Sequence, residues 1–313
     1  MVNGDDRYPD SRGSLGRPSV ATRSERPERK PGGGRGKVPR PPAAVPVRRT
    51  LSIAIAGFSL LLAVGLVIGS QATQTGFATV IGGAQALLIL ASTVASRPPS
   101  PWVVVVVGAL TAAASAFAVM LPVEASLAPL GYVIVGAFAA GIVGQLALRG
   151  GRAGVTESLA VTMAVVVGVT AFSALGVLSR QPLGDQVLFG GLVAAGIGLA
   201  TARICDVVAP SPRITPQVPR GSTGIIAGAM AGTAAGAASG FVIDGLSTFQ
   251  GAIAGMVAVL VAVVVDLGTG YAEAGRRLEG EPPFMWLARH MQGPLGAFAF
   301  AAPALYVVGV ILR

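Results

Sequence analysis

The chain has 313 residues, of which 52% are hydrophobic and only 12% are charged, and its formal net charge is +9. Soluble globular domains carry about a quarter charged residues, so this composition excludes an ordinary soluble protein. One histidine and one cysteine also exclude a His-rich metal cage and an internal disulfide. The sequence therefore indicates an integral membrane protein.

Residues 1–47 are predicted to form a disordered basic tail. Twelve of the 23 Lys and Arg residues precede Leu51, against five acidic residues in the same stretch. The tail is rich in Pro and Gly and has no apolar period, so it cannot bury enough surface to offset the entropy of ordering. Because the tail precedes an apolar run, we expect it to meet anionic phospholipid or a cytoplasmic protein partner, and not nucleic acid.

Residues 48–313 are predicted to form an all-α, polytopic transmembrane helical bundle. A bilayer core about 30 Å thick requires roughly 20 apolar residues in a helix. Nine segments meet or approach that length, near 51–70, 76–95, 101–121, 127–148, 158–178, 187–207, 223–243, 250–270 and 294–312.

The placement of arginines between these segments predicts the orientation. Alternate connections hold Arg97, Arg149, Arg152, Arg213, Arg220, Arg276, Arg277 and Arg289. Since cytoplasmic loops are enriched in Lys and Arg, we expect the N-terminus in the cytoplasm and the C-terminus outside the cell membrane. The pair Arg48-Arg49 also permits a twin-arginine export signal, although no small-residue cleavage site follows it and eight further apolar segments do.

The seventh segment carries a glycine at every fourth position: Gly224, Gly228, Gly232, Gly236 and Gly240. Steps of four residues place these glycines on one slowly drifting helix face, which allows a neighbouring helix to approach closely. We expect this face to pack within the chain, and a homodimer interface is the alternative.

Three ionisable residues lie inside predicted spans. Arg203 and Asp206 are three residues apart on the sixth span, so they share a helix face and could form an interfacial ion pair. Asp266 lies near the end of the eighth span, where an ionisable group is either functional or a helix-end carboxylate reaching the interface. Both interpretations of Asp266 remain open.

The second half of the chain contains an ordered set of motifs. They are Ile214-Thr215-Pro216-Gln217-Val218-Pro219-Arg220 before the Gly-rich span, Asp266-Leu267, Arg276-Arg277, His290 and Phe300-Ala301-Ala302-Pro303. With these motifs, residues 150–313 resemble the integral membrane phosphatidate cytidylyltransferases, the CDP-diacylglycerol synthases. The resemblance implies a nine-span fold and, in an active enzyme, transfer of CMP from CTP to phosphatidate with Mg²⁺.

The departures from that family predict a degenerate member. Where the resemblance implies two metal-binding aspartates, this chain has Gly293 and Gly296, and no lysine follows Lys37. Asp266 is left as the one candidate metal ligand. Because nucleotidyl transfer depends on metal-bridged phosphates, we expect a non-catalytic lipid-binding homologue without a cofactor, with Mg²⁺ required only if activity persists.

Four arginines are candidates for binding phosphate or a lipid headgroup: Arg213, Arg220, Arg276 and Arg277. Guanidinium groups suit phosphate oxygens, although the same arginines also fit the positive-inside rule. Two other functions remain open, a membrane assembly protein acting through its tail and, ranked last, a small-solute transporter. We also expect residues 281–290 to form a short interfacial helix that contains Trp286, with ordinary interfacial anchoring as the alternative role.

Overall fold

The computed structural model describes residues 48–121, 124–147, 154–280 and 286–312, and within these ranges the chain folds into nine α-helices. They are α1 Arg49–Ser70, α2 Gln74–Ser96, α3 Pro101–Met120, α4 Ala128–Ala147, α5 Val155–Leu178, α6 Gly184–Val208, α7 Ser222–Val242, α8 Thr248–Leu278 and α9 Trp286–Ile311. Each helix contains a stretch long and apolar enough to cross a membrane. The predicted all-α, multi-pass helical fold is confirmed for these residues. The predictions for residues 1–47, Arg149, Arg152 and 281–285 lie outside them.

Local sequence signals explain where several helices begin. The hydroxyl of Thr73 accepts a hydrogen bond from the Gly76 N–H at 3.2 Å, which caps the first turn of α2. At α8, Ser247 and Gln250 form a reciprocal capping box, in which each side chain bonds the other residue's backbone N–H. Pro101 is the first residue of α3. At that position proline is not destabilising, because its φ already suits a helix and the N–H that it lacks would have no acceptor within the helix.

Two helices extend beyond the predicted spans. α8 continues to Leu278, and α9 already begins at Trp286 rather than near residue 294. In its described part, the helix expected over 281–290 is continuous with α9, since residues 286–290 form the first turns of that helix. Hydropathy finds the apolar centre of a span, so it overlooks the polar turns that continue the same hydrogen-bond ladder past the hydrocarbon.

The two ends of the bundle can be told apart by connectivity. The connections are short compared with the helices, and α1 joins α2 through residues 71–73 alone. Consecutive spans therefore run in opposite directions. We call the end at which α1, α3, α5, α7 and α9 begin the proximal face, and the other end the distal face.

Helices α5, α6 and α9 form the centre of the bundle. About 72% of the apolar window of α5 is buried, compared with 22% for α4, which lies at the edge. The large side chains Phe172, Leu192 and Phe298, one from each central helix, are fully buried. The edge helices instead expose large apolar residues such as Leu61, Trp102, Tyr132 and Phe241. Such side chains suit contact with lipid tails, in keeping with a multi-pass membrane protein.

The five glycines of α7 lie against α6 and α8 of the same chain. A Cβ on Gly228 would come within 2.6 Å of the Gly198 carbonyl oxygen of α6, and one on Gly236 within 2.7 Å of the Gly255 Cα of α8. Real Cβ atoms do not make such contacts, so only glycine permits this backbone-to-backbone approach. α7 is thereby held close to both neighbours, which brings the start of α7 to the charged end of α6.

Candidate functional site: a buried ion-pair cluster

Four charged side chains meet between α6, the connection before α7, and α8. We call Arg203, Asp206, Arg220 and Asp266 the ion-pair cluster. Two Arg and two Asp residues make its formal charge zero. The side chains of Asp206, Arg220 and Asp266 are only 1–2% exposed and that of Arg203 is 15% exposed. The cluster lies toward the proximal face, because its two α6 residues are close to the end of that helix.

Arg203 and Asp206, which the sequence predicts could pair with each other, bind other partners in the described structure. The Arg203 Nη2 donates to Asp266 Oδ1 at 2.5 Å, across to α8. Asp206 accepts from Arg220 Nη1 at 2.7 Å and from the Gly221 backbone N–H at 2.9 Å. The expectation of a local interfacial ion pair is therefore wrong. Arg203 joins α6 to α8, and Asp206 joins α6 to the connection before α7, since buried charges are stabilised by whichever opposite charge the fold brings closest.

Arg220 links the two carboxylates. Its Nη1 bonds Asp206 Oδ2, and its Nη2 bonds Asp266 Oδ2. Each carboxylate therefore has both oxygens bonded, Asp206 by Arg220 and Gly221, and Asp266 by Arg203 and Arg220. Charge-assisted hydrogen bonds of this kind are about twice as strong as neutral ones.

The connection between α6 and α7 folds so that Arg220 points inward. An antiparallel bridge pairs Arg213 with Gly221, and the Ser222 N–H donates to the Pro212 carbonyl at 2.9 Å. Val218 is buried in the same turn. A narrow backbone loop therefore carries one apolar and one cationic side chain into the bundle, and the cluster holds the loop there.

Two glycines make room for the carboxylates. A Cβ on Gly224 of α7 would lie 2.6 Å from Asp206 Oδ1, and a Cβ on Gly293 of α9 would collide with Asp266 Oδ1. Gly224, the first of the five glycines of α7, thus leaves space for Asp206 of the ion-pair cluster as well as for close helix packing. Gly293 is one of the two positions at which the family resemblance implies an aspartate. In this fold a larger side chain there would displace Asp266.

The predicted phosphate-binding arginines do not form one group. Arg220 is inside the cluster with both terminal nitrogens bonded to carboxylates. Arg277 pairs with Glu273 at 2.5 Å on the more exposed part of α8. The Arg276 Nε is buried and has no hydrogen-bond acceptor among the described residues, and the Nε atoms of Arg203 and Arg220 share that condition. Arg213 lies in the loop, at the bridge to Gly221.

Asp266, the predicted metal ligand, is surrounded by cations. Within the part of the chain that the structure describes, no group of three or more His, Cys, Asp and Glu residues could hold a metal ion. Asp206 and Asp266 flank the guanidinium of Arg220. An arginine thus lies between two acidic groups, in the kind of position where a divalent cation would bridge them.

Sequence reasoning identified the members of this cluster but missed their arrangement. Arg203, Asp206 and Asp266 stood out as charges in apolar spans, and Arg220 as a basic residue in a loop. The available signal was the requirement that every buried charge find a partner. Two arginines and two aspartates at one end of the bundle have no net charge together. That balance would have suggested that they form a single ion-pair network.

No family model matches this chain, and no match is found among curated proteins or among solved structures. The resemblance to phosphatidate cytidylyltransferases rests on the motifs of residues 150–313 alone and stays a prediction.

Proposed function

We propose that this chain is a non-catalytic membrane protein, similar to the phosphatidate cytidylyltransferases, that holds an anionic phospholipid headgroup at its proximal face. One observation carries the proposal: both buried carboxylates of the site have all their oxygens bonded by the chain's own donors, Arg203, Arg220 and Gly221. Their negative charge is thereby compensated by the chain itself, which disfavours a cation, while the Nε–H groups of Arg203, Arg220 and Arg276 have no acceptor among the described residues.

The bonding of the carboxylates argues against catalysis. Nucleotidyl transfer requires cations that bridge the phosphates, and hard cations need several free oxygen ligands. A metal at Asp206 or Asp266 would compete with Arg220 for that carboxylate and would leave Arg220 with one of its two acidic partners. The cation would also lie next to a buried guanidinium of the same charge, which opposes its binding. The ion-pair cluster therefore favours a structural role for these aspartates.

The arginines argue for an anionic ligand. Arg276 lies ten residues beyond Asp266 on α8, about 15 Å closer to the proximal end of that helix. Its side chain is half-buried and its Nε–H lacks an acceptor among the described residues, so we propose that the guanidinium turns toward a phosphate oxygen at this face. Arg277 and Arg213 lie toward the same face. Near its proximal end, where Arg276 and Arg277 lie, α8 should emerge into the headgroup layer, which contains the phosphates of membrane lipids.

The distribution of charge also supports an orientation. The proximal connections carry arginines, whereas the distal end carries Glu124, Asp244 and, in the first turn of α6, Asp185, together with Arg180. By the positive-inside rule the proximal face is cytoplasmic, in the cell membrane. The N-terminus is then cytoplasmic, and assembly with a cytoplasmic protein through the basic tail of residues 1–47 is the alternative function.

Lipid retention tests the proposal. Protein purified in a mild detergent is exchanged with phosphatidate, phosphatidylglycerol or phosphatidylcholine, and bound lipid is counted by native mass spectrometry. We expect the anionic lipids to be retained and phosphatidylcholine to be lost. Arg276→Gln should weaken retention of the anionic lipids about tenfold, since a hydrogen bond to a charged group contributes roughly 1.5–3 kcal/mol.

The control is Arg97→Gln, which removes the same charge from the same face but at the end of α2. It should retain anionic lipid like the parent protein. Equal retention of phosphatidylcholine and phosphatidate by the parent protein, or equal losses in the two variants, would contradict a headgroup site at the end of α8.

A further inference from the structure

A groove runs between α2 and α3 on the lipid-facing side of the distal half of the bundle, with α5 behind it. Its volume is about 220 Å³. Small side chains leave the space, and the lining includes Ala78, Gly82, Ala112, Ala113 and Ala116. An engineered apolar cavity of about 150 Å³ accepts benzene, so this space is large enough for a substantial part of a lipid chain.

The groove follows the direction in which lipid chains lie. It is lined along α2 from Gln74, the first residue of that helix, to Gln85, the twelfth of its 23 residues. Eleven residues of helix span about 16 Å, so the groove reaches from the distal membrane boundary to the middle of the bilayer. Gln74 and Ser179 lie at its mouth, and Gln85 and Ser173 lie at its inner end.

Gln85 has an unused hydrogen-bond acceptor at the inner end of the groove. The side chain is only 2% exposed. Its Nε2 donates to the Val169 carbonyl and to Ser173 Oγ, both at 2.8 Å. A carbonyl oxygen cannot donate, so the atom that faces Val169 must be the nitrogen, and the amide orientation is fixed. The Oε1 atom forms no hydrogen bond with any residue that the structure describes, and it is the polar atom Gln85 can present to the groove.

Because Gln85 Oε1 lies at the depth of the bilayer centre without a hydrogen-bond donor, a ligand that carries a donor group at that depth would stabilise it. Ordinary saturated acyl chains carry none. A chain with a polar end at the mouth and a hydroxyl about 14–16 Å deeper satisfies both ends of the groove. An extended chain with carbon–carbon bonds near 1.5 Å advances about 1.25 Å per bond because it zigzags, so that distance corresponds to roughly a dozen carbons.

We propose that the groove between α2 and α3 binds one hydroxylated fatty acyl chain of the distal leaflet, whose hydroxyl, about twelve carbons from its polar end, donates to Gln85 Oε1. The apolar part of the chain lies against the alanines and Gly82. An ordinary acyl chain, with water on the Gln85 oxygen, is the competing occupant. This site is independent of the headgroup site at the proximal face.

The test compares three fatty acids on the full-length protein in lipid nanodiscs, by competition with radiolabelled stearate. We expect 12-hydroxystearate to bind about tenfold more tightly than stearate, because it supplies one hydrogen bond to an acceptor that otherwise lacks a donor. The isomer 2-hydroxystearate carries its hydroxyl at the mouth and should bind like stearate. Equal binding of all three acids, or an equal gain for the 2-hydroxy isomer, would overturn the proposal.

Variants locate the effect in the groove. Gln85→Met keeps the length of the side chain and should bring 12-hydroxystearate to the affinity of stearate. Gly82→Leu should fill the groove and weaken the binding of all three fatty acids at least tenfold. The fold can accept the leucine, because a Cβ on Gly82 meets nothing within 4 Å. The neighbouring Gly83→Leu, equally unobstructed but outside the groove, is the matched control and should bind like the parent protein. A preference for 12-hydroxystearate that survives in Gln85→Met, or equal effects of the two leucine variants, would also refute the assignment.

Discussion

Removing Asp266 should destabilise the bundle more than removing any exposed carboxylate. Its two oxygens hold the guanidinium groups of Arg203 and Arg220, and its side chain is 1% exposed. Asp266→Leu therefore leaves one positive charge uncompensated in the bundle, with two terminal nitrogens unbonded. Breaking a buried pair in this way costs about 3–5 kcal/mol. Arg203 is 15% exposed and can recover some hydration, which favours the lower half of that range.

Reversible unfolding in mixed micelles, followed by circular dichroism, measures this cost. At roughly 2–4 °C per kcal/mol, a cost of about 3–4 kcal/mol should lower the midpoint of thermal unfolding of Asp266→Leu by about 6–16 °C. The double variant Arg203→Met with Asp266→Leu restores neutrality and leaves Arg220 paired with Asp206, so it should regain at least half of the loss. Glu273→Gln removes a carboxylate from the exposed pair with Arg277 and should cost less than about 1 kcal/mol. A destabilisation by Asp266→Leu no larger than that of Glu273→Gln, or a double variant no better than the single one, would refute the reasoning.

Three further predictions concern packing, capping and orientation. Gly236→Ala should destabilise the protein by about 1–3 kcal/mol, because its Cβ would clash with the backbone of α8, whereas Gly65→Ala on α1 meets nothing within 4 Å and should be neutral or slightly stabilising in the same unfolding assay. Ser247→Ala removes the capping box of α8 and should cost about 1 kcal/mol, with Ser247→Asn, another good cap, as the variant that recovers it. With Cys205 replaced by serine, Asp244→Cys should react with an impermeant maleimide on intact cells and Arg213→Cys only after lysis; the reverse pattern would contradict a cytoplasmic proximal face.

The spans could be predicted from sequence because hydrocarbon imposes a strong and local requirement. About 20 apolar residues are needed to cross it, and all nine segments satisfy that in the described structure. The additional turns of α8 and α9 could not be predicted in the same way, since they depend on backbone hydrogen bonding outside the apolar region. The glycine repeat of α7 indicated a close approach, but not that α6 and α8 are the helices that approach it.

The ion-pair cluster shows where local rules fail. The spacing of Arg203 and Asp206 satisfies the rule for pairing along a helix, yet Arg203 bonds Asp266, 63 residues away in sequence. Arg220 reaches the same carboxylate from a loop. Partners across helices are set by the packing of the whole bundle, which a single sequence does not contain. The sequence does show which charged residues lie inside apolar spans. Because an unpaired buried charge is strongly destabilising, each of these residues is predicted to have a partner.

Transfer of CMP is the measurement that bears most directly on the central claim, that the aspartates serve the ion-pair cluster rather than a metal. Purified protein in detergent is incubated with radiolabelled CTP, Mg²⁺ and phosphatidate, and lipid-soluble label is counted against a heat-denatured sample. A closed cluster predicts no CDP-diacylglycerol above that background. Formation of CDP-diacylglycerol that depends on Mg²⁺ and is lost in Asp266→Asn would contradict the account, because it would require Asp266 to leave its arginines and bind the metal.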